Sequence, residues 1–164
     1  MEGKLPFDPI DEAARQWAKH WDGVPQMHAV TSLMRVQQLV LGRLDALLRP
    51  HGLTFARYEA LILLTFSSRG ALPLRVIGER LMVHPTSVTN TIDRLEEQAM
   101  VVRRPNPRDG RGTLAEITDA GRAVVEAATA DLVGADFGLG VLDDERLREL
   151  SDLLRPMRQA AGDF

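Results

Sequence analysis

Between residues 74 and 118, two short amphipathic stretches, a three-residue connection and a basic, turn-rich segment follow one another without a gap, and few folds accept that order. Val76, Ile77 and Leu81 supply the buried side of a first short helix beginning near Arg75. Met82–Val83–His84 is the tight connection. Pro85 suits the first turn of a second helix, where a missing N–H costs little. Val88, Ile92 and Leu95, four and three residues apart, form its apolar spine. Two short helices so joined, the second with a polar outer face, make a helix-turn-helix. The following stretch, VVRRPNPRDGRGTLAEIT, reads as a strand (Val101–Arg104), a turn mixture (Pro105–Gly112) and a second strand (Gly112–Thr118) anchored by Leu114 and Ile117. This is a β-hairpin with an arginine-rich tip. The expected fold class is mainly α with a small β-wing.

The flanks read as helices. DEAARQWAKHW, residues 11–21, is a first helix, with Asp11 and Glu12 at its positive end and Gly23 and Pro25 breaking it. A second helix runs from about Gln26 to Leu48. Its stripe of Val30, Leu33, Met34, Leu41, Leu44, Leu47 and Leu48 stops at Pro50–His51–Gly52. Thr54 N-caps a third, central helix, apolar nearly all round through Tyr58, Leu61, Ile62, Leu63, Leu64 and Phe66. Leu72–Pro73–Leu74 is a short extended link. Beyond the hairpin, Thr118 caps a helix from Asp119 to about Val133. A last helix spans about Asp143 to Ala160, bent at Pro156, with an apolar face of Leu142, Leu147, Leu150, Leu153, Leu154 and Met157. The expected organisation is an N-terminal helical segment over residues 1–53, a winged helix-turn-helix domain over 54–118 and C-terminal helices over 119–164.

Charge is distributed more tellingly than its total of −3 suggests. Residues 103–112 hold four arginines against one acid, a balance of +3, whereas residues 119–164 hold ten acids against five arginines, a balance of −5. A basic spot on an acidic body is a footprint for a polyanion. The chain has no cysteine, which excludes disulfides, thiolate-bound zinc and thiol redox sensing. No apolar run reaches the ~18–20 residues of a membrane span, and no signal-peptide core is visible, so a cytoplasmic protein without membrane association is expected. His20, His28, His51 and His84 never pair at helical ligand spacing, and no nucleophile–base pair or phosphate loop appears. Neither a metal site, a cofactor nor an enzyme is expected.

On the second helix of the pair, Thr86, Ser87, Asn90, Asp93, Arg94 and Glu97 lie away from the spine. The first three are short donors and acceptors on the half that enters a major groove in this motif. Asn can bond adenine in bidentate fashion, and Thr or Ser can reach phosphates or base edges. The DNA-contacting set expected is Thr86, Ser87, Thr89, Asn90 and Arg94 on the helix, with Arg103, Arg104 and Arg108 on phosphates. Arg111 suits a narrow, strongly negative minor groove. Asp109 orients that arginine and shapes the hairpin. Asp93 and Glu97 would repel phosphates and are expected to pair with arginines.

These residues resemble the MarR family of bacterial regulators. The matching stretch is Leu74–Gly121, with Arg94–Leu95–Glu96 ending the recognition helix. The strand Val101–Arg104, the Asp109–Gly110–Arg111 wing and Ile117–Thr118–Asp119–Ala120–Gly121 follow it. The resemblance implies a homodimer that binds double-stranded DNA at a pseudo-palindrome, and a repressor released by a small ligand. The extra N-terminal helix is similar to the subgroup of urate-responsive and trans-aconitate-methyltransferase regulators. By that likeness Trp17 and the Tyr58–Glu59 pair, with Glu for Asp, are candidates for a pocket holding a small organic-acid effector; Trp21, four residues from Trp17, and His84, at the start of the recognition helix, are added by position. Thr91 stands where the subgroup has an arginine, which removes a cation that urate would use. On the residues alone Trp17 and Trp21 equally suit a core or dimer anchor, and His84 equally suits a helix cap. A DNA-binding or architectural protein without an effector stays open beside the ligand-responsive reading, as does a protein–protein module.

Overall fold

The computed structural model describes residues 5–107 and 112–164. Arg108, Asp109 and Arg111 therefore lie outside the described residues. The chain divides into two compact units, Met1–Gly42 and Arg43–Phe164.

In the first unit, α1 spans Pro9–Trp17 and α2, Val24–Leu48, begins. Asp8 caps α1, its Oδ1 accepting from the Ile10 and Asp11 N–H groups at 2.7 and 3.4 Å. The helix ends four residues earlier than the sequence pattern predicts. The reason is local: the Trp17 indole N–H donates to the Asp22 carbonyl at 2.8 Å, and a turn carries the chain back through Lys19 and His20. Trp21 thus lies beyond the helix, not on its face, yet its ring still packs on Trp17 with centroids 4.9 Å apart. Pro25 sits inside the first turn of α2, where proline is tolerated, so that helix starts at Val24 instead of after the proline. His28 on α2 meets Asp11 on α1 at 2.8 Å.

The second unit is built on α3, Phe55–Thr65, capped by the Thr54 hydroxyl and burying Tyr58, Ala60, Leu61 and Leu64. Next come β1 (Ala71–Pro73), α4 (Leu74–Leu81), α5 (Pro85–Glu97), β2 (Val101–Pro105), β3 (Thr113–Ile117), α6 (Asp119–Gly134) and α7 (Asp144–Ala160). The strands form an antiparallel sheet in the order β1-β3-β2, with Arg103 opposite Ala115 and Arg104 opposite Leu114. Strand alternation decides the inner face: Ala115 and Ile117 are buried, while Leu114, expected as an anchor, is only half-buried. Ile77, Val88, Ile92, Leu95 and Val101 bring the helix pair and the hairpin onto one core with Leu61, Leu64 and Leu132.

Two glycines allow close approaches that set this geometry. A Cβ on Gly78 would lie 3.1 Å from the Val88 side chain and 3.2 Å from the Val83 carbonyl, so its absence lets α4 and α5 meet. A Cβ on Gly121 would fall 2.2 Å from the Met100 carbonyl. Thr118 completes that joint: its hydroxyl accepts from the Gly121 N–H at 3.0 Å and donates to the Ala99 carbonyl at 2.8 Å. The base of the hairpin is thereby fastened to the start of α6. α6 packs on α3, where the Tyr58 and Thr129 hydroxyls bond at 2.9 Å. α7 is capped by Asp143, continues through Pro156 and buries no residue within the chain. No helix among the described residues is long and apolar enough to cross a membrane.

Candidate nucleic-acid interface

The turn before α5 aims its outer face. Met82 takes a left-handed conformation (φ 55°, ψ 42°) and closes α4, its N–H returning to the Gly78 carbonyl. His84 then caps α5: its Nδ1 accepts from the Thr86 N–H at 3.2 Å. With Val88, Ile92 and Leu95 buried as expected, the 3.6-residue period turns Thr86, Ser87, Asn90 and Arg94 outward, all exposed. Thr89 is also exposed, with its hydroxyl bonded back to the Pro85 carbonyl at 3.1 Å. Asn90, Thr91, Asp93, Arg94 and Glu97 line one side of an open cleft of about 540 Å³, facing Thr54 and Arg57 at the start of α3. Arg57 has no role expected from the sequence, since only the fold brings it to the same cleft as Asn90.

The acidic residues of α5 pair with arginines, as expected, but the pairing changes what one arginine can do. Arg94 meets Glu97 at 2.8 Å, and Arg104 meets Glu116 across the sheet at 3.3 Å. Both guanidiniums stay well exposed, at 64% and 60%, and surface pairs of this kind are weak enough to exchange for phosphate. Arg103 is different. Its guanidinium bonds Asp93 at 2.5 Å and also Glu96, and its backbone N–H donates to Glu96 at 3.1 Å. Its side chain is only 26% exposed. Burial works against the charge, yet the bonds to Asp93 and Glu96 outweigh it and push the Arg103 pKa up. The expectation of a phosphate contact at Arg103 thus meets a cation already held by two carboxylates. Glu96 was missed as its partner, although acids at 93 and 96 fall on one face of α5.

The remaining candidates are spread over both units. Trp17 is half-buried and Trp21 exposed in the first. In the second, Tyr58 is buried with its hydroxyl on Thr129, and His84 serves as the α5 cap. Glu59 is half-buried on α3, and its side chain has no hydrogen-bond or ion-pair partner among the described residues. Burial raises its pKa above the ordinary carboxylate value of 4.5.

The MarR family model matches residues 51–112, from just before α3 to just before β3. A MarR family transcriptional regulator from Streptomyces coelicolor, Sco5413, is 64% identical, with a TM-score of 0.82 over 87% of this chain and 99% of that one. CouR from Rhodococcus jostii, bound to p-coumaroyl-CoA, is 28% identical, with a TM-score of 0.67 over 76% of this chain and 87% of its own. A mutant MarR from E. coli in complex with operator DNA is 26% identical, with a TM-score of 0.66 over 79% and 95%.

Proposed function

Since the chain belongs to the MarR family of winged helix-turn-helix transcriptional regulators, we propose that it is a dimeric, sequence-specific repressor released from a pseudo-palindromic operator by a small anionic ligand. The observation that carries the DNA reading is the outward row of α5. Thr86, Ser87, Asn90 and Arg94 stand exposed over a buried spine, so the row is held rigidly while its side chains face outward, Arg94 in a weak surface pair with Glu97. In this reading Asn90 reads a base, Thr86, Ser87 and Thr89 bond phosphates or base edges, and Arg94 and Arg104 hold phosphates. Arg108 is proposed as a further phosphate contact and Arg111 as a minor-groove contact oriented by Asp109, all three lying outside the described residues. The E. coli relative bound to operator DNA supports this assignment by likeness.

The ligand part draws support from CouR, a relative bound to an acyl thioester, and from Glu59, a half-buried carboxylate without a partner among the described residues. Such a group costs stability and is a common mark of a functional site. The dimer part draws support from α7, which carries Leu153 and Met157 at 70% and 56% exposure and buries nothing within the chain. The protein acts in the cytoplasm on chromosomal DNA.

The test is a labelled duplex carrying the promoter beside the protein's own gene. The reading expects tight binding to that duplex over unrelated ones, weakened by one member of a panel of aromatic and tricarboxylic acids. Equal affinity for unrelated duplexes of the same base content removes the sequence-specific reading. Binding that no acid weakens removes the ligand part alone.

A further inference from the structure

Arg103 lies on β2, one of the two edge strands of the sheet, next to α5. An edge strand presents N–H groups with no neighbour to receive them. Here the Arg103 N–H donates to Glu96, one carboxylate oxygen at 3.1 Å, while the other oxygen takes the Arg103 guanidinium. Asp93, one turn earlier on α5, takes a second guanidinium nitrogen at 2.5 Å. One residue of the hairpin is thus fixed to two turns of the helix by three hydrogen bonds in two directions, and the planar guanidinium fork makes that fixing directional. The cluster carries two negative charges and one positive, so it does not attract phosphate.

We propose that Arg103, with Asp93 and Glu96, is a positioning clamp that sets the angle of the wing against α5, and that it supports operator binding through that angle and not through contact with DNA. The inference rests on the reading of α5 and the wing as DNA-contacting elements. β2 runs from the clamp straight into Arg104 and Pro105, so a small rotation of the strand at Arg103 is carried along the strand to Arg104. A helix in the major groove and a wing in the minor groove bind together only if their separation matches the duplex.

Charge and geometry predict opposite signs for one substitution. Removing a carboxylate from a surface facing DNA tightens binding if only electrostatics matters. Loosening the clamp weakens it. The experiment measures operator affinity of the full chain by fluorescence anisotropy over a salt series. The variants are Asp93→Asn, Arg103→Gln and the two combined, at a temperature where circular dichroism shows each one folded. Asp93→Asn is nearly isosteric at a half-exposed position, so it keeps the test usable even if Arg103→Gln folds poorly. The clamp predicts that each single change weakens binding by about tenfold. It predicts that the double variant is no weaker than the weaker single, and that all slopes against log salt match the wild type. Arg104→Gln is the slope control and loses about 0.9. Tighter binding by Asp93→Asn overturns the proposal, as does a slope loss of about 0.9 in Arg103→Gln. A lowered melting temperature with unchanged affinity also overturns it, because that is stability alone. A wild type that binds no duplex at any salt overturns the DNA reading and this inference with it, a result distinct from the others.

Discussion

At the scale of single residues, the unusual groups are those whose charge is either held too well or not held at all. Arg103 is the first kind; Arg94 and Arg104 are exposed and singly paired, and so remain available to phosphate. Arg104→Gln should weaken binding to every duplex alike and lower the salt slope by about 0.9, read from affinities at four or more salt concentrations. Glu59 is the second kind. Its folded-state pKa is raised by burial, so the folded chain binds a proton more tightly than the unfolded one. Stability from this group is therefore full below the unfolded carboxylate value and falls as pH rises through the raised one. Glu59→Gln should raise the melting temperature at pH 7, and the gain should vanish below about pH 4.5, where both states are protonated. A gain of equal size at pH 4 and pH 7 would show that burial of the charge is not the cause.

At the scale of elements, the joint between hairpin and α6 depends on Gly121. Its first turn lies against the Met100 carbonyl, and a methyl group there must displace backbone. Gly121→Ala should destabilise the chain by ~1–3 kcal/mol in urea unfolding. Gly134→Ala, with open space around its Cα, should be neutral or stabilising and serves as the comparison. How much of this was legible from the sequence follows from the range of the forces involved. The spine of α5, the caps at Thr54 and Thr118 and the two hairpin strands are set by neighbours three or four residues apart, or by alternation, and the pattern carries them; β1 becomes a strand only by pairing with distant β3, and its pattern shows no more than an extended link. The end of α1 at Trp17 is set by an indole reaching the Asp22 carbonyl, which helical periodicity does not register. Leu114 looked like an anchor because it is the larger side chain, but alternation gave the inner position to Ala115. The Arg103 clamp joins residues seven and ten apart across a turn, and composition there suggested only a basic strand. The outward row of α5 was legible in full; what its arginine neighbour does was not.

At the scale of the whole molecule, the claim is that two copies present two such rows to one duplex. No residue of α7 is fully buried within the chain; Leu147, Leu150 and Leu154 are half-buried, and Leu153, at 70% exposure, is the most exposed of the helix leucines. Leu153→Glu removes little packing inside the chain, so it should fold. Sedimentation should show it as a monomer where the wild type is a dimer, with operator affinity lower by about a hundredfold once the second half-site acts alone. A stable Leu153→Glu dimer would place the interface elsewhere. The central claim is tested most directly by measuring wild type and Asn90→Ala against every single-base variant of the operator. The account predicts that Asn90→Ala costs ~1–3 kcal/mol and loses discrimination at one base pair in each of two symmetry-related half-sites, while discrimination elsewhere survives. Uniform weakening across all variants, with discrimination intact at every position, would contradict it.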